Sequence, residues 1–474
     1  MARARTPMSL ADIFRAPWDA GDAGDAAFSD RALLSRMLAF EGALARALAD
    51  ADVVPHAAAE AAASLCEHWA QDGGRAVPAL APDALAAAAR HAGTLAIPFV
   101  KALVEAVAAE DGQAARCIHR GATSQDVIDT ALVLEARRVA EALVARLCDA
   151  ADAAAALATT YRNTPVTGRT LLQAAVPVSF GWKAAGWLAG LHRCIDRIER
   201  TVPQACSVQF GGAAGTLASL GDRAQPVAQA LARHLELPLP AISWHGLRDG
   251  PASLAAEFGL ACGVLGKIGG DVALLMQSEV AEAFEPAAEG RGGSSAMPHK
   301  RNPVGAMLAR EAALRAPGLV ATLMSGLPAE HERGLGHWQR DWFTWRDLAG
   351  AAASAADAVA EVLAGLRVDT ARMRTNIDAL QGFPFAEALA AQLADTLGRP
   401  AAQARVESLC RDALERGQTL QAAVARAAQA GEPGFETARL AQVFDPTSHL
   451  GGANTMTDAV LAQWYARPRA QMRD

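Results

Sequence analysis

The sequence has 474 residues, beyond the ~100–200 of one typical domain, so a large core spread over two or three segments is expected. Hydrophobic residues make up 51% of it and aromatics only 5%, an Ala- and Leu-rich balance that favours helix over strand. A net charge of −7 with no Lys/Arg run excludes a nucleic-acid backbone as partner, and seven singly spaced cysteines exclude a disulfide framework and fit reduced thiols in a cytoplasm.

The opening segment MARARTPMSLADIFRAPWD has early arginines and acids but no long apolar stretch, so no export signal is expected. From Asp30 to Asp50, Leu33, Leu34, Met37, Leu38, Leu44 and Leu48 recur at the spacing of one helix face. Similar patterns occupy 82–109, 126–160, 178–200, 223–236, 252–283, 304–325 and 350–365, separated by short Gly, Pro or polar breaks. Strand alternation is absent between them, and the expected fold class is all-α.

The stretch from Thr201 to Gly221 lacks charge but contains Pro203, Gln204, Gln209, Gly211, Gly212 and Gly215, which no membrane helix would carry together. Leu254 to Phe284 is apolar apart from Glu257, Lys267, Asp271, Glu279 and Glu282. A helix of that kind needs cover on most faces, which one chain could supply and the middle of a multi-subunit bundle equally so, and homo-oligomerisation is the natural expectation. Changes in character near Asp111-Gly112 and after residue 360 divide the chain into an N-terminal helical unit (1–112), a central bundle (113–360) and a C-terminal helical unit (361–474).

The most unusual local sequence runs from Gly290 to Val304, within a loop placed at 285–303 between two helical patterns. Its glycines and prolines disfavour helix, and such a loop presents backbone N–H groups, a hydroxyl and a cation to one small anion, as a developing oxyanion requires. A mere linker has no need of Met297, Pro298, Lys300, Asn302 and Pro303 in close order. The spacing GxxxxGK[ST] is missing, so this is no nucleotide-phosphate loop, and His331 and His337 are too far apart for one helix face, so no metal is indicated.

GSSAMPHKRNP resembles the GSSxMPxKxNP signature of the fumarase/aspartase superfamily, a highly specific match. His119-Arg-Gly-Ala-Thr-Ser-Gln-Asp-Val-Ile-Asp-Thr130 and Gly168-Arg-Thr-Leu-Leu-Gln-Ala-Ala-Val-Pro177 agree with it in order and separation, and the resemblance covers most of the chain. It implies three helical domains, a long central bundle and a homotetramer whose active sites combine three motif regions from three subunits. It also implies that Ser294 exchanges the proton beside a substrate carboxylate through an enediolate, helped by Lys300 and the loop amides. Lys300 and Asn302 would bind the carboxylate that gains charge. Thr123, Ser124, Thr170 and Gln173 fall on substrate-carboxylate positions, with His119 and Met297 as further substrate-binding candidates and no cofactor required.

Leu171 departs from the pattern GRTHLQ of relatives that expel an amine or water. Leucine transfers no proton, whereas a carboxylate leaving group with a pKa of ~4 departs without one. The ring-closing branch, the bacterial 3-carboxy-cis,cis-muconate cycloisomerases, also lacks that histidine and is similar in HRGATSQDVIDT and HERGLGHWQRDW. The resemblance thus implies lactonisation of a small tricarboxylate, for which Arg333 or Arg340 would supply an extra cation. A fumarate-releasing lyase of the adenylosuccinate or argininosuccinate type and a non-catalytic helical scaffold are the alternatives; Trp244 to Gly250 matches the cycloisomerases only in part.

Overall fold

The computed structural model describes residues 27–287, 290–297 and 299–468. The opening segment read above for an export signal and Pro298 of the signature loop lie outside the described residues. The chain divides into two compact units. The first comprises the described residues up to Leu147 with Arg193–Lys267 and Leu308–Ala358; the second comprises Cys148–His192, Ile268–Met307 and the described residues from Val359 onward.

The described chain begins with α1 (Asp30–Asp50), α2 (His56–Ala70), α3 (Pro82–Ala92) and α4 (Ala96–Glu110). The Ser29 hydroxyl caps α1 by accepting from Ala32 N at 3.1 Å, and Asp30 sits in the first turn, where the helix dipole favours a carboxylate. The continuous 82–109 pattern breaks at Gly93, whose φ of 72° ends α3.

The middle of the chain holds α5 (Ser124–Thr160), the strands β1 (Pro165–Thr170) and β2 (Gln173–Ser179), then α6 (Phe180–Ala205), α7 (Ala224–His234) and α8 (Asp249–Leu275). After it come β3 (Ala283–Phe284), α9 (Val304–Met324), α10 (Trp338–Ala364) and β4 (Arg367–Val368). The end of the chain is helical: α11 (Thr370–Asp378), α12 (Ala386–Leu397), α13 (Arg399–Glu415), α14 (Leu420–Gln429), α15 (Thr437–Val443) and α16 (Ala453–Ala466). The helices α5, α6, α8, α9 and α10 each contribute residues to both units.

The fold is all-α as the composition indicates, relieved among the described residues by two antiparallel ladders that the sequence pattern does not separate from loop. β1 pairs with β2 from Pro165↔Ser179 to Thr170↔Gln173, and β3 pairs with β4 over two residues. The apolar run read as far as Phe284 stops being helix at Leu275, because the chain turns back at Ala281 (φ 52°) and Glu282 N bonds Leu275 O at 2.9 Å.

Close packing in the first unit rests on small residues and aromatics. A Cβ at Gly266 of α8 would overlap Ala313 of α9, so the two helices approach to backbone distance there. Phe28, Trp342, Trp345 and Phe258 form a chain of ring contacts at 5.0, 5.8 and 5.5 Å, and Trp342 Nε1 donates to Phe28 O at 3.0 Å. In the second unit Leu389, Leu393, Leu409, Leu420 and Val424 from α12, α13 and α14 are buried together, each worth about 1.5–3 kcal/mol of transfer free energy. Among the described residues α8 alone is long and apolar enough to cross a membrane by length and composition, and 50% of its most apolar window is buried within the chain.

Candidate active site

The residues singled out above fall into two groups, one in each unit. In the first unit, Thr123 and Ser124 open α5, and Asp126 one turn in accepts from Thr123 N at 2.9 Å, the reciprocal half of a capping box. The same carboxylate accepts Gly211 N at 3.0 Å, Gly212 N at 2.9 Å and His245 Nε2 at 2.7 Å. Asp126 therefore joins the TSQD turn to a glycine-rich loop beside it.

His119 precedes this turn at φ 55°, a left-handed conformation that a bulky residue keeps only when held there. Glu41, fully buried in α1, holds it: Oε2 accepts His119 N at 2.8 Å and Oε1 meets Nδ1 at 2.6 Å. Burial by itself pushes the imidazole pKa down, but the charge and hydrogen bond of Glu41, with Asp126 behind, outweigh it and the net shift is upward.

Of the two arginines proposed for an extra carboxylate, Arg333 reaches the motif. Its guanidinium donates to Thr123 Oγ1 at 3.3 Å and to Gly212 O and Ala213 O at 3.3 and 3.1 Å. Arg340 is turned to the end of α9, donating to Thr322 O at 2.6 Å and Ser325 Oγ at 3.0 Å. In the same unit Arg248 is buried between Asp129, at 2.6 and 2.9 Å, and Asp341, at 2.9 Å. Burial raises the Asp341 carboxyl pKa, against the opposing pull of Arg248, and the net shift is upward.

In the second unit Thr170 and Gln173 face each other across the β1–β2 turn, and both are exposed. The turn itself is Leu171-Leu172, with φ of 52° and 64°, where Asn or Gly is the usual occupant. Their side chains are 96% and 76% exposed. Arg169 ties the hairpin to buried Glu282, just ahead of β3.

The signature loop is closed at its base twice. Glu285 caps α9, accepting Gly305 N at 3.0 Å and Ala306 N at 2.7 Å. Further in, Asn302 N donates to Gly292 O at 2.8 Å, and Gly292 (φ 66°) leaves no room for a Cβ against Asn302 O. Above this pinch Met297 and Lys300 are exposed and Ser294 is half-buried, its Oγ accepting Met297 N at 3.2 Å. Ser294 and Lys300 thus stand on one short, constrained loop with Asn302 at its base.

Residues 19–318 match the family model described as Lyase, and residues 382–460 match that of the adenylosuccinate lyase C-terminus. The chain belongs to the lyase family of the fumarase/aspartase superfamily. A 3-carboxy-cis,cis-muconate cycloisomerase of Pseudomonas aeruginosa is 45% identical to it over 93% of this chain and 94% of that one. A nitrosuccinate lyase of Streptomyces davaonensis is 41% identical, with 93% of each covered. The crystal structure of a 3-carboxy-cis,cis-muconate lactonizing enzyme from Pseudomonas putida superposes with a TM-score of 0.86 at 41% identity, covering 92% of this chain and 96% of that one. Like its superfamily, this lyase is an enzyme acting on a small carboxylate.

Sequence reasoning missed Glu41, Asp126, His245, Glu282 and Glu285. Two left a trace: Asp126 stands three residues after Thr123, the capping-box spacing, and Glu41 interrupts the apolar face formed by Met37, Leu38, Leu44 and Leu48. The others pair across distances of tens to more than a hundred residues, which no local pattern reports.

Proposed function

We propose that this lyase closes 3-carboxy-cis,cis-muconate into 4-carboxymuconolactone, as an intramolecular lyase needing no cofactor. The observation that carries the reading is Leu171 at the tip of the β1–β2 hairpin, between Thr170 and Gln173, with no proton to give. Whole-length similarity to cycloisomerases supports it.

One substrate carboxylate adds to the ring-closing carbon of a double bond, forming the C–O bond of the lactone. The π-electron pair moves toward a second carboxylate and leaves it as an enediolate. Ser294 delivers a proton to the carbon next to that group, and Lys300 with the loop amides stabilises the alkoxide left on Ser294. Lys300 and Asn302 bind the carboxylate whose charge grows, so the interaction strengthens along the reaction and lowers its barrier. In reverse the leaving group is a carboxylate of pKa ~4, which departs without protonation.

Thr123, Ser124, Thr170, Gln173, Met297 and His119 contribute to substrate binding in this reading, with Arg333 on the third carboxylate. The active site is assembled in a homotetramer. Leu260 on α8 and Met307 and Leu314 on α9, at 52%, 51% and 82% exposed, support that association as faces the described residues leave uncovered. The enzyme works in the cytoplasm, divided into segments 1–112, 113–360 and 361–474.

The similarity to a nitrosuccinate lyase favours one second reading, an elimination whose leaving group is also a weak base. Purified enzyme is therefore given 3-carboxymuconate, followed by loss of its ultraviolet absorbance, and separately succinyl adducts, followed for fumarate. Lactone formation without fumarate is the expected result; fumarate release with no lactone reverses the reading.

A further inference from the structure

Three features stand outside the mechanism above: an apolar cavity of about 470 Å³ lined by Leu33, Leu85, Ile128, Trp338 and Trp342, the Asp126–His245 pair, and Glu41. The cavity carries no observation that selects an occupant, and the Asp126–His245 pair serves the join between the TSQD turn and the glycine-rich loop already described. Glu41 differs, because it grips a substrate-binding candidate at both its backbone and its ring.

We infer that Glu41 is a positioning residue for the reaction, holding His119 so that the imidazolium Nε2–H, the nitrogen not taken by Glu41, donates to a substrate carboxylate. The inference rests on the proposed substrate-binding role of His119.

The geometry gives Glu41 two tasks. Its Oε2 bond to His119 N, 2.8 Å, fixes the strained φ of 55° from which the ring is presented. Its Oε1 contact with Nδ1, 2.6 Å, keeps a proton on that nitrogen in either charge state of the ring. Charged, His119 offers Nε2–H to an anion. Neutral, it keeps its proton on Nδ1 and turns a lone pair outward, which repels a carboxylate. Glu41 therefore couples substrate affinity tightly to the protonation of His119.

The charged groups acting on the ring are Glu41 from α1 and Asp126 from α5; both favour the imidazolium and burial opposes it. Cys66 of α2, close enough to feel the Glu41 charge, is a thiol held neutral by burial and adds no charge. A carboxylate buried solely to fix the chain would not need its second oxygen on the ring.

The test is kcat/KM for 3-carboxymuconate from about pH 5.5 to about pH 9, bracketing imidazole titration, in wild type, Glu41→Gln, His119→Gln and the double variant. Wild type should lose kcat/KM through KM on an alkaline limb whose midpoint lies above the ordinary imidazole value of ~6.5. Glu41→Gln should move that limb to lower pH, approaching wild type toward the acid end of the range and falling several-fold below it on the alkaline side, about a factor of ten for each pH unit of displacement. In the His119→Gln background the Glu41→Gln change should add nothing further. A pH-independent loss in Glu41→Gln, or an additive loss in the double variant, would mean a purely structural role and overturns the inference. Impaired His119→Gln beside unimpaired Glu41→Gln sinks the Glu41 role alone; wild-type KM in His119→Gln removes the binding role of His119 and the inference with it. Should Glu41→Gln fail to fold, the wild-type limb decides: present above ~6.5 and lost in His119→Gln it supports the inference, at or below ~6.5 it overturns it.

Discussion

Arg169 meets Glu282 through two N–H···O bonds of 2.9 and 2.8 Å, and Asn376 Nδ2 adds a third at 2.8 Å. Glu282 is fully buried, whereas the Arg169 side chain keeps 30% of its surface in water. The pair anchors the hairpin that carries Thr170 and Gln173. Arg169→Ala leaves the carboxylate with one donor in place of three, and should lower stability by about 2 kcal/mol, less than the loss for a fully buried pair because Arg169 is part-solvated. Urea unfolding measures this, and an unchanged midpoint would show that the pair does not anchor the hairpin.

Asp341 predicts a pH dependence. Burial, reinforced by the nearby Asp129, raises its carboxyl pKa above 3.8 despite Arg248. The fold therefore favours the protonated form, so its contribution to stability is present at low pH and is lost as pH rises from 3.8 through the raised native value. Asp341→Asn stays neutral and keeps an oxygen for Arg248. It should match wild type at acid pH and become the more stable protein as pH climbs to neutrality; a difference constant with pH contradicts the assignment.

The α8–α9 crossing predicts a packing defect from a single methyl group. Gly266→Ala places a Cβ against Ala313 and Ala309 O, and the helices must separate. A loss of about 1–3 kcal/mol is expected, as for overpacked cores generally, although alanine is the better helix former. Thermal unfolding followed by circular dichroism checks it, and a raised Tm would show the crossing to be looser than described.

Leu171 should be dispensable as a proton donor. Leu171→Ala is expected to change kcat/KM by less than about tenfold and to leave the shape of the pH profile intact, since a general acid normally contributes ~10²–10⁴-fold. A new pH dependence, or a loss at the general-acid scale, would show that the turn supplies more than apolar surface.

Much of this was legible from residue order. Leu33 to Leu48 announce α1 because burial of one face imposes a 3.6-residue period, and GSSAMPHKRNP announces the loop because glycine and proline interrupt that period. The hairpin was not legible: Leu171 and Leu172 occupy left-handed positions where sequence rules expect Asn or Gly. Glu41 and His119 lie 78 residues apart, and only the fold brings a buried acid beneath a histidine that looks solitary in the chain.

Turnover of 3-carboxymuconate by Ser294→Ala decides whether the Ser294 hydroxyl carries the transferred proton. A fall in kcat of ~10²–10⁴-fold is expected, the scale of one positioned proton donor, with substrate still bound and helicity unchanged. A variant that closes the lactone at the wild-type rate would contradict it.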